Sequence, residues 1–479
     1  MIFSSNSTFL SLISVLSFIF LNIANAKAQV PGSAVNIVVS ENSEVRIQIK
    51  VGSPDEQWSF VNSYAGALGL GDRIKNFEAL DSGSVIASRK IASGEFRSEG
   101  KATALRYTVQ IPPGRPGDLA HISWLTSDSG VLMLADLLPE SVLSEGTISV
   151  SLELPLGVAV ESGFSRDAQN SFVVSQPDRA IFQVGKRFDV RTKDANGIGL
   201  KVVLADNWKF GSKDILRSAA KTIEVYHNLT TLQLAKPATI LIGTLPLTDS
   251  DASWKAETRG STVLLLLNPR AQVKNWIGQI GIILTHELFH LWVPNSLSLG
   301  GDYDWFFEGF TLYVALQTAL KLKLINFREY QDTLARVYDS YLSYSDEQSL
   351  IEASERRWTT NVPVVYDKGM LVGFLLDLTM RSESGGATSL SEKYKVLFSR
   401  HAGDLADGND VIIKVLATSP ATERIASSYI RGRERIELEK LLPAFGFELD
   451  ADGQKSRLSV RKDLNDPQKR LLKSLGYSK

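Results

Sequence analysis

A multidomain α+β architecture is predicted by this sequence: a β-sandwich at the amino end, a middle domain of mixed strands and helices, and a helical region towards the carboxyl end. Three observations carry the prediction. Short segments with an apolar residue at every second position recur up to about residue 190. From Ser212 the apolar spacing changes to that of a helix. Between Trp276 and Trp292 lies a mostly apolar stretch of helical length that nevertheless contains His286, Glu287 and His290.

At the amino end, Phe9 to Leu21 is an apolar core of signal-peptide length, followed by the small-x-small triplet Ala24-Asn25-Ala26, with Ala26-Lys27-Ala28 overlapping it. Residues 1–26 are therefore expected to be a signal peptide, although no Lys or Arg precedes the apolar core. The mature chain would be exported, periplasmic or secreted, with no stable membrane span. An uncleaved anchor would need a longer apolar segment.

Residues 29–190 form the expected sandwich. Val45, Ile47, Ile49 and Val51 alternate with polar neighbours, as do Leu105, Tyr107, Val109 and Ile111, then Ile148, Val150, Leu152 and Leu154. Ala180, Phe182 and Val184 continue the pattern, and Gly, Pro, Ser and Asp bound the segments. Residues 195–325 are the mixed middle domain. Ile215, Leu216, Ala219, Ile223 and Tyr226 fall on one stripe of a helix, and Ala238–Ile242 and Thr262–Leu267 are strands. Residues 326–450 are helical, with one helix through Tyr344, one from Tyr366 to Arg381, and one opened by a capping box of Ser389 and Glu392. Residues 451–479 look like a polar tail.

Composition narrows the chemistry. No Cys is present, which excludes a thiol nucleophile and any thiolate metal site. Lys plus Arg number 52 against 53 Asp plus Glu, so no bulk charge favours nucleic acid as a partner.

The segment Thr285-His286-Glu287-Leu288-Phe289-His290 concentrates the chemistry. Two His four residues apart share one face of a helix, where their imidazoles can bind a single Zn²⁺, and the Glu after the first can work on a metal-bound water. Only five His occur in the chain, so this arrangement is expected by chance on the order of a few times in a thousand such sequences. Unpaired imidazoles on an apolar helix would be costly, and a metal relieves that cost. A zinc hydrolase needs a third protein ligand and an open fourth position. Glu308, among Trp305, Phe306, Phe307 and Phe310, is the best candidate; Asp302 and Asp304 are rivals that read better as helix caps.

These residues resemble a known family. His286-Glu287-Leu288-Phe289-His290-Leu291-Trp292-Val293-Pro294-Asn295, followed by Trp305-Phe306-Phe307-Glu308-Gly309-Phe310, looks like the gluzincin metallopeptidases of the aminopeptidase N clan, and within it is most similar to the glycyl aminopeptidases. The resemblance implies a thermolysin-like catalytic domain, one Zn²⁺ per chain held by His286, His290 and Glu308, Glu287 as general base, and a peptide or protein substrate. Seventeen residues separate His290 from Glu308, one short of the spacing usual in aminopeptidase N relatives. Tyr366-Asp367-Lys368-Gly369 resembles the family's Y-E-K-G helix start, which implies that Tyr366 donates to the oxyanion. Tyr429 to Leu438 is similar to the last helices of the glycyl aminopeptidases, whereas the chain beyond Asp450 is too short for their PDZ-type domain.

One family feature is missing. The acidic strand motif that grips a substrate's amino end in these enzymes is absent from Glu257 to Asn268, where Glu257 is the available substitute. Trp292 and Asn295 are expected to pack and brace the motif helix, and His121, His227 and His401 to be ordinary histidines. The function expected is an exported zinc metallopeptidase, aminopeptidase-like in kind. The alternative is a cell-envelope binding or scaffold module that keeps the fold without the activity.

Overall fold

The computed structural model describes residues 32–478 apart from 41, 116, 207, 247–253, 271–275, 345–347, 359–361 and 452–454. The expected signal peptide at 1–26 lies outside the described residues.

The amino-terminal alternation folds into two packed sheets. An eight-stranded sheet has the order Phe172–Ser175, Thr147–Glu153, Ala34–Val39, Glu44–Ser59, Glu95–Gln110, Ile74–Asp81, Ser84–Ile86, with Ser88–Ala92 also pairing Glu95–Gln110. Val45, Ile47 and Ile49 lie directly across from Val109, Tyr107 and Leu105, so the period-two apolar sets of two strands form one inward face. That face packs on Leu132, Phe182 and Val184 of a four-stranded sheet ordered Ala159–Ser162, Ile181–Gly185, Ser129–Met133, Trp124–Leu125.

The other face of the four-stranded sheet is apolar as well. Val131, Met133 and Ile181 pack against Val203, Leu241, Leu264 and Leu266 of a five-stranded sheet. This sheet is ordered Phe188–Ala195, Ile198–Ala205, Ala238–Thr244, Thr262–Leu267, Trp254–Arg259, with the three middle strands parallel and both outer strands antiparallel. Its opposite face, with Val202, Ile240, Ile242 and Leu265, is covered by the helices. Burial on both sides explains why Thr262–Leu267 reads as an unbroken apolar run. The strand Phe188–Ala195 crosses the expected boundary at residue 190 and belongs to the five-stranded sheet, because its pairing with Ile198–Ala205 extends over eight residues.

Helix Ser212–Thr230 buries Ile215, Ala219, Ile223 and Tyr226, the stripe read from the sequence except Leu216, which is only partly buried. It packs beside the motif helix Trp276–Phe289. After the loop come a π-helical turn, Trp305–Phe310, that runs into helix Thr311–Lys321, and a second, Val364–Lys368, that runs into helix Gly369–Glu383. The capping box at Ser389 is present.

Two expectations are corrected here. Neither Asp302 nor Asp304 supplies the expected cap: Asp304 precedes the first turn with helical backbone angles and no capping hydrogen bond, its carboxylate being committed to Arg357. The polar tail is folded: Phe447–Ala451 and Ser456–Val460 form a hairpin, and Asn465 caps helix Asp466–Ser474, whose Leu471 and Leu472 are buried with Leu475 beyond it. The charged residues of that helix hide a short apolar stripe, and the stripe decides its fate. Among the described residues, no helix is long and apolar enough to cross a membrane.

Candidate metal centre

His286 lies in the last turn of the motif helix and His290 just past its end, both turned towards Glu308 on the adjacent π-helical turn. His286 Nε2 and His290 Nε2 are 3.2 Å apart, and Glu308 Oε2 lies 3.6 and 3.5 Å from them. Zinc bonds of about 2.0–2.2 Å in tetrahedral array would put ligand atoms roughly 3.3–3.6 Å apart, so these separations fit one ion.

Proton accounting points the same way. His290 Nδ1 is 2.9 Å from the Val293 carbonyl, which can only accept, so the neutral ring keeps its proton on Nδ1 and turns Nε2 to the site. Glu308 Oε2 is buried without a hydrogen-bond partner. Such an atom is costly unless a cation meets it. Burial, the largest single effect, opposes protonation of His290, yet the Glu308 and Glu287 carboxylates and the Val293 carbonyl together outweigh it and push the imidazole up to about 9. Burial likewise opposes ionisation of Glu308, but His290 and Arg357 hold it well below the usual carboxylate range. The pocket demands positive charge. Asp304 and Glu308 both bind the one guanidinium of Arg357, with the Glu287 carboxylate buried nearby.

Glu287 is buried, and its Oε2 accepts a 2.8 Å hydrogen bond from Thr258 Oγ1 on the edge strand Trp254–Arg259. Tyr366 enters from the second π-helical turn, its oxygen 2.7 Å from Arg357 Nη2. Burial and the Glu308 carboxylate raise its pKa well above that of a free phenol, so it stays protonated and able to donate. The two π-helical turns are locked together by glycines. A Cβ on Gly309 would lie 2.5 Å from the Gly369 Cα, and one on Gly369 would lie 2.8 Å from the Trp305 carbonyl oxygen. Gly309 and Gly369 therefore permit the backbone approach that brings Glu308 and Tyr366 to one site.

Of the sequence-selected residues, His286, Glu287, His290, Glu308 and Tyr366 come together. Asp304 approaches only through Arg357. Trp292 is buried and donates to the Leu232 carbonyl, and Asn295 donates to the Gly260 carbonyl, so both brace the end of the motif helix. His121 is no ordinary histidine: its Nδ1 is 2.5 Å from Glu257 Oε2. Glu257 Oε1 also accepts from Arg259 Nε and Tyr64, and Arg259 Nη2 reaches back to the His121 carbonyl. Sequence reasoning missed Arg357 and Thr258. Neither lies in a spaced motif, and only the fold brings them to the site.

No protein-family model and no curated protein matches this chain by sequence. Solved structures do match. An aminopeptidase N family protein from Idiomarina loihiensis aligns with a TM-score of 0.75 at 17% identity, over 87% of this chain and 79% of that one. An M1 zinc metallopeptidase from Deinococcus radiodurans, solved as a mutant bound to a Tyr-Ser-Ala substrate, aligns with a TM-score of 0.57 at 13% identity, over 85% of this chain and 95% of that one. At such identities the likeness is one of fold alone: the α+β architecture is shared with these two structures.

Proposed function

We propose that this protein is a zinc-dependent metallopeptidase, with one Zn²⁺ per chain and a thermolysin-like catalytic domain, acting on peptide or protein substrates. The observation that carries the proposal is the convergence of His286 Nε2, His290 Nε2 and the unpartnered Glu308 Oε2 at separations suited to one ion. The fold shared with M1 zinc metallopeptidases supports it.

His286, His290 and Glu308 would hold the metal. When bound, Zn²⁺ lowers the pKa of a water and polarises the scissile carbonyl. Thr258 engages Glu287 Oε2, so we assign proton transfer to Oε1, which takes the water proton and later delivers it to the leaving amine. The Tyr366 hydroxyl donates to the oxyanion that develops on the substrate. The edge strand Trp254–Arg259 lies beside Glu287 and offers an outer backbone edge along which an extended peptide can pair.

Aminopeptidase-like cleavage is the reading that follows from the family resemblance. Internal cleavage is a second reading favoured by Glu257. Burial opposes its ionisation, but Arg259 and His121 hold it at about 2, and both its oxygens are occupied within the protein. A carboxylate so committed is a poor anchor for a substrate ammonium.

We also propose export, on the apolar segment and small-x-small site in residues 1–26. The amino-terminal sequence of the protein recovered from expressing cells tests it: a start after Ala26 or Ala28 supports export, and an intact Met1 counts against cleavage.

The decisive experiment incubates zinc-loaded protein with a diverse peptide mixture and reads the products by mass spectrometry beside Glu287→Ala. Loss of single amino-terminal residues supports the aminopeptidase reading, and internal cuts the second. No cleavage by a folded, zinc-loaded sample would overturn peptidase function and leave a binding or scaffold module.

A further inference from the structure

Arg357 is the one charged residue at the site that no spacing in the sequence foreshadows, and it is the most heavily shared. Its side chain is 9% exposed. Nη1 donates to Asp304 Oδ1 at 2.8 Å, and Nη2 donates both to Glu308 Oε1 and to the Tyr366 oxygen at 2.7 Å. The guanidinium carbon sits 4.3 Å from the ring centroid of Trp358, which holds the plane in place from one side.

Guanidinium can only donate, and its fork is rigid. Two consequences follow. At Glu308, Oε1 is consumed by Arg357, so Oε2 alone is presented to the two imidazoles, and the carboxylate is held for binding through a single oxygen. At Tyr366, the oxygen is an acceptor from Arg357, so its one proton must point away from the guanidinium. One nitrogen thus fixes both the metal ligand and the hydroxyl beside it. Asp304, four residues before Glu308 and flanking the same π-helical turn, keeps the guanidinium from rotating and offsets its charge.

We propose that Arg357 is a positioning residue that sets the single-oxygen presentation of Glu308 and the donor direction of Tyr366 together, coupling metal affinity to stabilisation of the oxyanion. The second half rests on the peptidase reading above; the first does not. A lysine could not replace it, since one ammonium on a flexible stem cannot hold Asp304, Glu308 and Tyr366 in a fixed plane.

The test measures zinc affinity by chelator competition, and kcat and KM on a cleaved peptide, for wild type, Arg357→Gln, Arg357→Lys, Tyr366→Phe and the double variant Arg357→Gln/Tyr366→Phe. Arg357→Gln is expected to weaken zinc binding roughly 10- to 100-fold, the usual cost of losing a group that orients a metal ligand. Arg357→Lys, with the charge kept, should leave most of that loss unrecovered, and Tyr366→Phe should bind zinc as wild type does. The losses in kcat from Arg357→Gln and Tyr366→Phe at saturating zinc should be far from additive, with KM nearly unmoved. Wild-type zinc affinity in folded Arg357→Gln, full rescue by Arg357→Lys, or additive kcat losses would each overturn the proposal. Should Arg357→Gln fail to fold by circular dichroism, Arg357→Lys against wild type decides the zinc arm. A wild-type protein that binds zinc yet cleaves nothing would refute the peptidase reading while the affinity series still judged Arg357.

Discussion

Glu308 and Glu257 make an instructive pair. Both are buried carboxylates, both face an arginine and at least one histidine, and burial opposes the ionisation of both while cationic partners hold them ionised. They differ in what their oxygens do. Glu257 spends Oε1 on Arg259 and Tyr64 and Oε2 on His121, whereas Glu308 spends Oε1 on Arg357 and leaves Oε2 without a hydrogen bond among three converging ligand atoms. The first is a closed ion cluster joining the amino-terminal domain to the edge strand of the five-stranded sheet. The second turns one carboxylate oxygen towards two imidazole nitrogens. Counting lone pairs separates a structural carboxylate from a metal ligand where composition and burial do not.

The contrast can be broken or sharpened in order of effect. Glu287→Ala, which removes the proposed base next to the Glu308 cluster, should keep zinc and lose about 10²- to 10⁴-fold in turnover. Near-normal turnover at full metal occupancy would remove Glu287 from the reaction. At the closed cluster the expectation concerns stability. Because the folded pKa of Glu257 is depressed from 4.5 to about 2, its contribution is full above pH 4.5 and is lost as pH falls through that window. The loss is on the order of 3 kcal/mol. Denaturant titrations between pH 5 and pH 2, run on wild type and Glu257→Gln, should show this acid limb shrunken in the variant, and an identical pH slope in both would contradict the closed-cluster account.

A smaller effect tests the contact that places Tyr366 beside Glu308. Gly369→Ala forces a Cβ against the Trp305 carbonyl oxygen, and it should cost about 1–3 kcal/mol in stability and lower turnover with it. Unchanged melting and activity would show that the two π-helical turns can part freely. Smallest is Thr258→Val, which deletes a hydroxyl donor shared between the Glu287 carboxylate and its backbone carbonyl. It should lower kcat about tenfold, roughly 1.4 kcal/mol, with zinc content intact. A change in zinc content instead would place Thr258 with the metal ligands rather than the base.

Much of this site was legible before any fold was known. His286, Glu287 and His290 are fixed relative to one another by helical periodicity, and the aromatic surroundings of Glu308 marked it as buried. The alternation through Val45–Val51 and Leu105–Ile111 marked both segments as strands with one inward face; that they are antiparallel neighbours in one sheet came from the structure, and a register slip of one residue would turn the apolar set to water. The carboxyl-terminal helix was misread because four of its nine residues, Asp466, Lys469, Arg470 and Lys473, are charged, and Leu471 and Leu472 matter only once a neighbouring apolar surface exists.

The sequence by itself determined the local periods and the spacing of the two imidazoles, since these depend on backbone geometry within a turn or two of chain. Only the tertiary structure decided that Arg357 would bridge Glu308 and Tyr366, that Thr258 would hold Glu287, and that Glu257 would be closed off by His121. Each of those contacts joins residues 9 to 136 positions apart and made neighbours by the packing of strands and helices. Hydrogen bonds act over about 3 Å of space, and no local pattern along the chain encodes which distant atoms will meet within that range.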